Sequence, residues 1–160
     1  MCDSVFQDIQ RVHYQWEGNY CVASGMECIL KWHKLIPVDS YPFQSNPKNA
    51  GIGFGEAQHL LNPYKIIPQN PKLNIEDTLN LISKEMNEER VVLIALPVRQ
   101  TYCGIVHIFV ALRHNLELVL FDPKWKHMEC ENLKDLTNLL HNKEREFPSR
   151  NFVDLLIYEL

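Results

Sequence analysis

The sequence predicts an α+β domain, and three observations carry that expectation. Apolar residues recur at helical spacing from Cys21 to His33. The run Val91–Val98 is short, bounded and β-branched at its start. The stretch IVHIFVALRHNLELVLFDP, Ile105 to Pro123, reads as two buried strands folded back around the polar break Arg113-His114-Asn115-Leu116. Helices come first, then a mainly antiparallel sheet with a helix inserted.

Residues 1–14 read as a lead-in. Gly18-Asn19 is turn chemistry, and after it Val22, Met26, Ile29, Leu30 and the amphipathic His33 form the stripe of a helix packed on a core. Cys21 falls at the first turn of that helix, and Gln15 lies on the loop before it. Between Pro37 and Pro71 the chain is rich in Pro, Gly and Asn and is expected to be mostly loop, with a short helical piece near Glu56–Leu61. Asn74 is placed as an N-cap, with Glu76 and Asp77 in the first turn and Ile75, Leu79, Ile82 and Met86 on one face, so a second helix runs to about Asn87. Asn132 caps a third helix carrying Leu133, Leu136 and Leu140, and Phe152–Tyr158 supplies a last strand.

With 160 residues and 46% apolar composition, the chain is expected to form one domain, residues 1–160. The net charge of −4 and the lack of any long basic run point away from nucleic acid or an anionic membrane surface as partner. Val91–Val98, the longest apolar run, falls far short of the roughly 20 residues of a membrane helix. The N-terminus lacks the continuous apolar core of a secretory signal, which leads to an expectation of cytoplasmic synthesis. Five cysteines (Cys2, Cys21, Cys28, Cys103, Cys130) without CxxC spacing argue for free thiols over a disulfide framework or a zinc ribbon. The histidines make no HExxH spacing, so no metal is expected. Gly51-Ile52-Gly53-Phe54-Gly55 lacks the Lys-Ser/Thr ending of a phosphate loop, so no nucleotide cofactor is expected either.

The chemistry sits in four residues. A hairpin loop of two residues (His114, Asn115) or four (Arg113 to Leu116) sets His107 opposite Asp122, within reach of an imidazole–carboxylate hydrogen bond. Such a pair serves a nucleophile. Cys21 suits that part, because a helix N-terminus and a nearby imidazolium both favour the thiolate. Gln15 can then donate to an oxyanion together with the Cys21 backbone N–H. Cys103 is the rival nucleophile, and Cys28 reads as a small buried hydrophobe. A loop of odd length would take Asp122 off the His107 face and leave Asn115 or Asp154 to orient the imidazole.

Gln15-x5-Cys21 opening a helix, Gly104-Ile105-Val106-His107-Ile108-Phe109-Val110 on a strand, and Leu120-Phe121-Asp122-Pro123 together resemble the bacteriocin-processing (double-glycine leader peptidase) branch of the papain-like cysteine peptidases. The resemblance implies a papain-like fold, with the nucleophile at a helix start packed on a mainly antiparallel sheet that carries His and Asp. It also implies roles: Cys21 attacks, His107 is acid and base, Asp122 orients it, and Gln15 forms the oxyanion hole. Tyr20 and Val22 depart from the acidic residue and glycine that usually flank the cysteine, and no transporter domain is fused. The expected function is thus a thiol protease that hydrolyses a peptide or isopeptide bond of a protein substrate without cofactor. A bacterial effector or toxin translocated into another cell fits the free-standing chain. A glutamine deamidase, a transglutaminase or a peptidoglycan amidase shares the same acyl-enzyme, and a non-catalytic peptide-binding module is the remaining alternative.

Overall fold

The computed structural model describes residues 7–9, 11–16, 20–57, 59–66, 69, 72–85, 90–97, 106–114, 117–122, 127–130, 133–146 and 153–159. Its centre is helix α1, Cys21–Trp32, in which Ala23, Met26, Glu27, Leu30 and Lys31 are good helix formers and no proline interrupts the run. It ends in a Schellman motif: Lys34 takes a left-handed φ of 59°, its N–H reaches Lys31 O at 3.0 Å, and Leu35 N–H reaches Leu30 O at 2.8 Å.

Every residue of α1 from Val22 to Trp32 is buried. Val22, Met26, Ile29 and Leu30 join Ile9, Phe43, Ala57, Leu61, Ile66 and Val110 in one cluster. Fully burying side chains of the Met26 and Leu30 kind contributes about 1.5–3 kcal/mol each. The other face holds Ser24, Glu27 and Lys31, a polar row at i, i+3 and i+7. Two segments cover that row, the chain before α1 and the loop after it.

The first is helical at 7–9 and 11–12, with Ile9 and His13 fully buried, so the expected lead-in is in fact core. The second includes the 3₁₀ turn Pro47–Asn49, where the Asn46 side chain accepts from Lys48 N–H at 3.1 Å. A short helix α2, Phe54–Ala57, stands slightly earlier than the sequence pattern placed it, and a 3₁₀ turn at Asn62–Tyr64 follows. Helix α3, Ile75–Glu85, begins where Asn74 Oδ1 accepts Asp77 N–H at 2.7 Å.

The strands are β1 Lys72–Leu73, β2 Arg90–Pro97, β3 Val106–His114, β4 Glu117–Asp122, β5 His127–Cys130 and β6 Val153–Glu159, with helix α4, Leu133–Glu146, between β5 and β6. Their backbones pair antiparallel in the order β1-β6-β2-β3-β4-β5. Helix α1 lies against β3, and α4 touches both α3 and β5.

The papain-like α+β expectation is corrected by this arrangement. Of the residues whose side chains are described, 58% are helical. Strand positions among them come down to Leu73, Ile94 and Val110, so the described core does not show a helical part resting on a sheet face that carries His and Asp. It shows α1 wrapped by its own flanking segments, with Val110 added from β3. The apolar stripe of α1 was legible and implied one buried face. The hydrogen bonds that bury the opposite, polar face come from residues distant in sequence, and they make α1 the middle of the core instead of its flank.

Candidate functional site

Cys21 is the first residue of the 12-residue helix α1. The residue before it, Tyr20, has φ −103° and ψ 19° and gives no side-chain cap, and the first turn holds no acidic residue. The helix dipole at this end favours an anion, and no carboxylate in the turn offsets it. The Cys21 side chain is half-buried against the core cluster. Cys28, two turns on, is fully buried, and burial pushes its thiol up to about 12. One helix therefore carries one partly buried thiol at its start and one inert, fully buried thiol.

Gln15 is 7% exposed, between Tyr14 at 43% and Trp16 at 40%. Its backbone neighbours are held from across the fold. Gln44 Nε2 donates to Tyr14 O at 3.1 Å, and Trp16 N–H donates to Gln44 Oε1 at 2.7 Å. Gln44 in turn donates from Nε2 to Glu27 Oε1 at 2.6 Å and from its backbone N–H to Glu27 Oε2 at 3.0 Å. Phe43 N–H reaches the same Oε2 at 2.9 Å. Burial pushes the Glu27 carboxyl above its ordinary value, while these donors and Lys31 pull it back down.

Behind this lies a second polar group that the sequence pattern did not single out. Lys31 Nζ lies 2.7 Å from His13 Nδ1 and 3.9 Å from the centroid of the Tyr41 ring. His13 stacks on Tyr41, with centroids 5.8 Å apart and the planes at 12°, and Tyr41 OH donates to Val12 O at 2.9 Å. His13 Nε2 is 3.0 Å from Ser24 O and 3.1 Å from Ser24 Oγ. A carbonyl only accepts, so Nε2 carries the hydrogen and Nδ1 accepts from the ammonium of Lys31. That tautomer cannot take a proton from Ser24. Ser24 and His13 are both fully buried, so the Ser-His-Lys group is a structural tie and not a nucleophile with its base. Its signal in the sequence was the row Ser24, Glu27, Lys31 on an otherwise apolar helix.

The side chains of His107 and Asp122 lie outside the described residues, but their strands are paired. In β3–β4 the partners run from His114–Glu117 to Val110–Phe121. The hairpin thus closes between His114 and Glu117, one residue later than a His114-Asn115 loop would place it. The ladder, continued one step, sets Phe109 and not His107 opposite Asp122, which corrects the expected register. The offset is two residues, so His107 and Asp122 keep the same parity as diagonal neighbours, farther apart than a directly opposed pair. Asp122 is itself paired with His127 of β5, beyond a register shift at Leu120/Phe121. Nothing local in the sequence marks His127 as that partner.

Asp154 pairs with Ala95, which pairs with Ile108, so alternation puts Asp154 on the sheet face opposite to that of His107. It is not a substitute orienter. Cys103 and Asn115 lie outside the described residues. Among the described residues no group of three or more His, Cys, Asp or Glu could hold a metal ion, and no helix is long and apolar enough to cross a membrane. No protein-family model matches the chain, and no curated protein matches its sequence.

Proposed function

We propose that the chain is a cysteine hydrolase that cleaves a peptide or isopeptide bond of a protein substrate through an acyl-enzyme on Cys21. One observation carries this reading: on a single helix, the cysteine at the dipole-favoured start is only partly buried, while the thiol two turns later is sealed in the core and held protonated. In the proposed reaction the Cys21 thiolate adds to the scissile carbonyl. The Gln15 amide and the Cys21 N–H donate to the oxyanion. His107, with Asp122 diagonal to it across β3 and β4, gives its proton to the leaving amine, and a thioester remains. Water, deprotonated by the same histidine, then releases the acid and frees the thiol.

The displaced register favours one second reading, a peptide-binding module that does not cut, because His107 and Asp122 are not directly opposed. Both readings meet in one experiment. New N-termini are compared in a lysate treated with wild type, Cys21→Ala, His107→Ala and His127→Ala, with ammonia release measured alongside. Hydrolysis predicts new termini with wild type, none with Cys21→Ala, and a loss of at least about 10²-fold with His107→Ala. Equal loss in His127→Ala but not His107→Ala would transfer the acid–base role to the histidine paired with Asp122. Ammonia without new termini would mean deamidation or transglutamination, and full cleavage by Cys21→Ala would end the reading.

A further inference from the structure

The proposed reaction needs Gln15 in a fixed relation to Cys21, and one side chain grips the backbone on both sides of Gln15. The carbonyl before it, on Tyr14, accepts from Gln44 Nε2, and the N–H after it, on Trp16, donates to Gln44 Oε1. Gln44 is 2% exposed. Its amide can face only one way. The Glu27 carboxylate accepts and cannot donate, so Nε2 must point to Oε1 of Glu27 at 2.6 Å, which leaves the second Nε2 hydrogen for Tyr14 O and the oxygen for Trp16 N–H. Turning the amide over would set two donors against each other at Trp16.

Glu27 belongs to α1, the helix that Cys21 opens. A continuous set of short contacts therefore runs from Tyr14 O and Trp16 N–H, on either side of Gln15, through Gln44 and Glu27 to the helix of the nucleophile. Asn49 Nδ2 secures the loop end of this path by donating to Phe43 O at 3.0 Å. No strand ladder is assigned at 13–16, where the chain is coil and bend, and the clasp ties the backbone there to the loop after α1.

We propose that Gln44 and Glu27 are positioning residues that hold Gln15 in place to stabilise the oxyanion formed at Cys21. The proposal rests on the reading of Cys21 as nucleophile and of Gln15 as oxyanion donor. It assigns the loop after α1 a part in the reaction although neither residue touches substrate.

The test compares two small probes on the full chain. p-Nitrophenyl acetate acylates a thiolate through a tetrahedral oxyanion and releases p-nitrophenolate. Iodoacetamide alkylates it by direct displacement of iodide, with no oxyanion. Gln15→Ala should slow acylation by about 10²-fold, and Gln44→Met should slow it by at least about tenfold with KM unchanged. The double variant should be no slower than Gln15→Ala alone, since one residue acts through the other. Iodoacetamide should react with all of them at the wild-type rate. Glu27→Gln keeps the size and the backbone acceptor but offers an N–H where Gln44 needs an acceptor, so it should reproduce the selective loss even if Gln44→Met folds poorly. Multiplying losses in the double variant, or equal slowing of both probes, overturns the proposal. Acylation slowed by Gln15→Ala but not by Gln44→Met or Glu27→Gln overturns it alone, whereas wild-type acylation by Gln15→Ala overturns the oxyanion reading beneath it.

Discussion

Lys31 is 1% exposed, yet its ammonium has two partners suited to a cation, the Nδ1 lone pair of His13 and the face of Tyr41. These contacts do not match what water supplies. Burial pulls its pKa down from 10.5 to about 8, against the opposing pull of Glu27, Cys28 and Asp39. Between about pH 8 and 10.5 the unfolded chain holds a proton on Lys31 that the folded chain has released, so raising the pH through this window favours the folded state. Below pH 8 both states are protonated and the cost of burying the charge is fully present. The stability difference between wild type and Lys31→Met should therefore move in favour of wild type as pH rises from 8 to 10.5, and should be flat from 6 to 7.5. Urea midpoints of the two proteins across these pH values measure it, and a difference independent of pH would mean that the lysine is solvated. Other lysines, tyrosines and thiols that titrate in the window are common to both chains and cancel.

At the level of elements, the end of α1 offers a sharper measurement than its start. The Schellman geometry puts the Cβ of Lys34 at φ 59°, a region that costs an L-residue about 1–2 kcal/mol. Part of that cost returns on substitution by glycine, whose unfolded chain is more flexible, so Lys34→Gly should raise stability by about 0.5–1 kcal/mol. A loss in chemical denaturation would show that the Lys34 side chain contributes more than its backbone costs. The helix start at Asn74 was legible because its signal is local: one side chain, one N–H, three residues apart. The start of α1 at Cys21 and its apolar stripe were legible for the same reason. Register and enclosure were not. Closing the hairpin between His114 and Glu117 instead of between Arg113 and Leu116 leaves the local pattern almost unchanged but slides β4 by two residues against β3, which takes His107 out of direct opposition to Asp122, while β5 separately pairs His127 with Asp122. The clasp on Gln15 was invisible for a different reason: Gln44 is 28 residues from Trp16, and an isolated glutamine in a Pro- and Asn-rich loop carries no mark of what it will bind.

For the molecule as a whole, the question is which part opens first. Helix α1 is enclosed on both faces, by the apolar cluster on one and by the segments 7–16 and 41–49 on the other. Those two segments hold few apolar anchors, chiefly Ile9 and Phe43, and depend on the polar ties to Glu27, Lys31 and Ser24. Parts of a fold that rest on few buried apolar contacts open at lower free energy than the core they cover. Amide hydrogen exchange should therefore show two levels. The amides of α1 from Gly25 to Trp32 should exchange only by global unfolding, while Trp16, Phe43 and Gln44 should exchange together through a cheaper, shared opening. Glu27→Ala tests whether the carboxylate is the hinge of that opening, since it strips the acceptor from Phe43 and Gln44 and releases the amide that holds Trp16. It should accelerate those three amides by about tenfold or more, the equivalent of roughly 1–3 kcal/mol for buried donors left without a partner, and slow amides of α1 should follow only to the extent that global stability falls. Uniform acceleration across α1 and the three reporters would instead make the covering segments part of one cooperative unit with the helix, with the polar row as integral to the core as Met26 and Leu30.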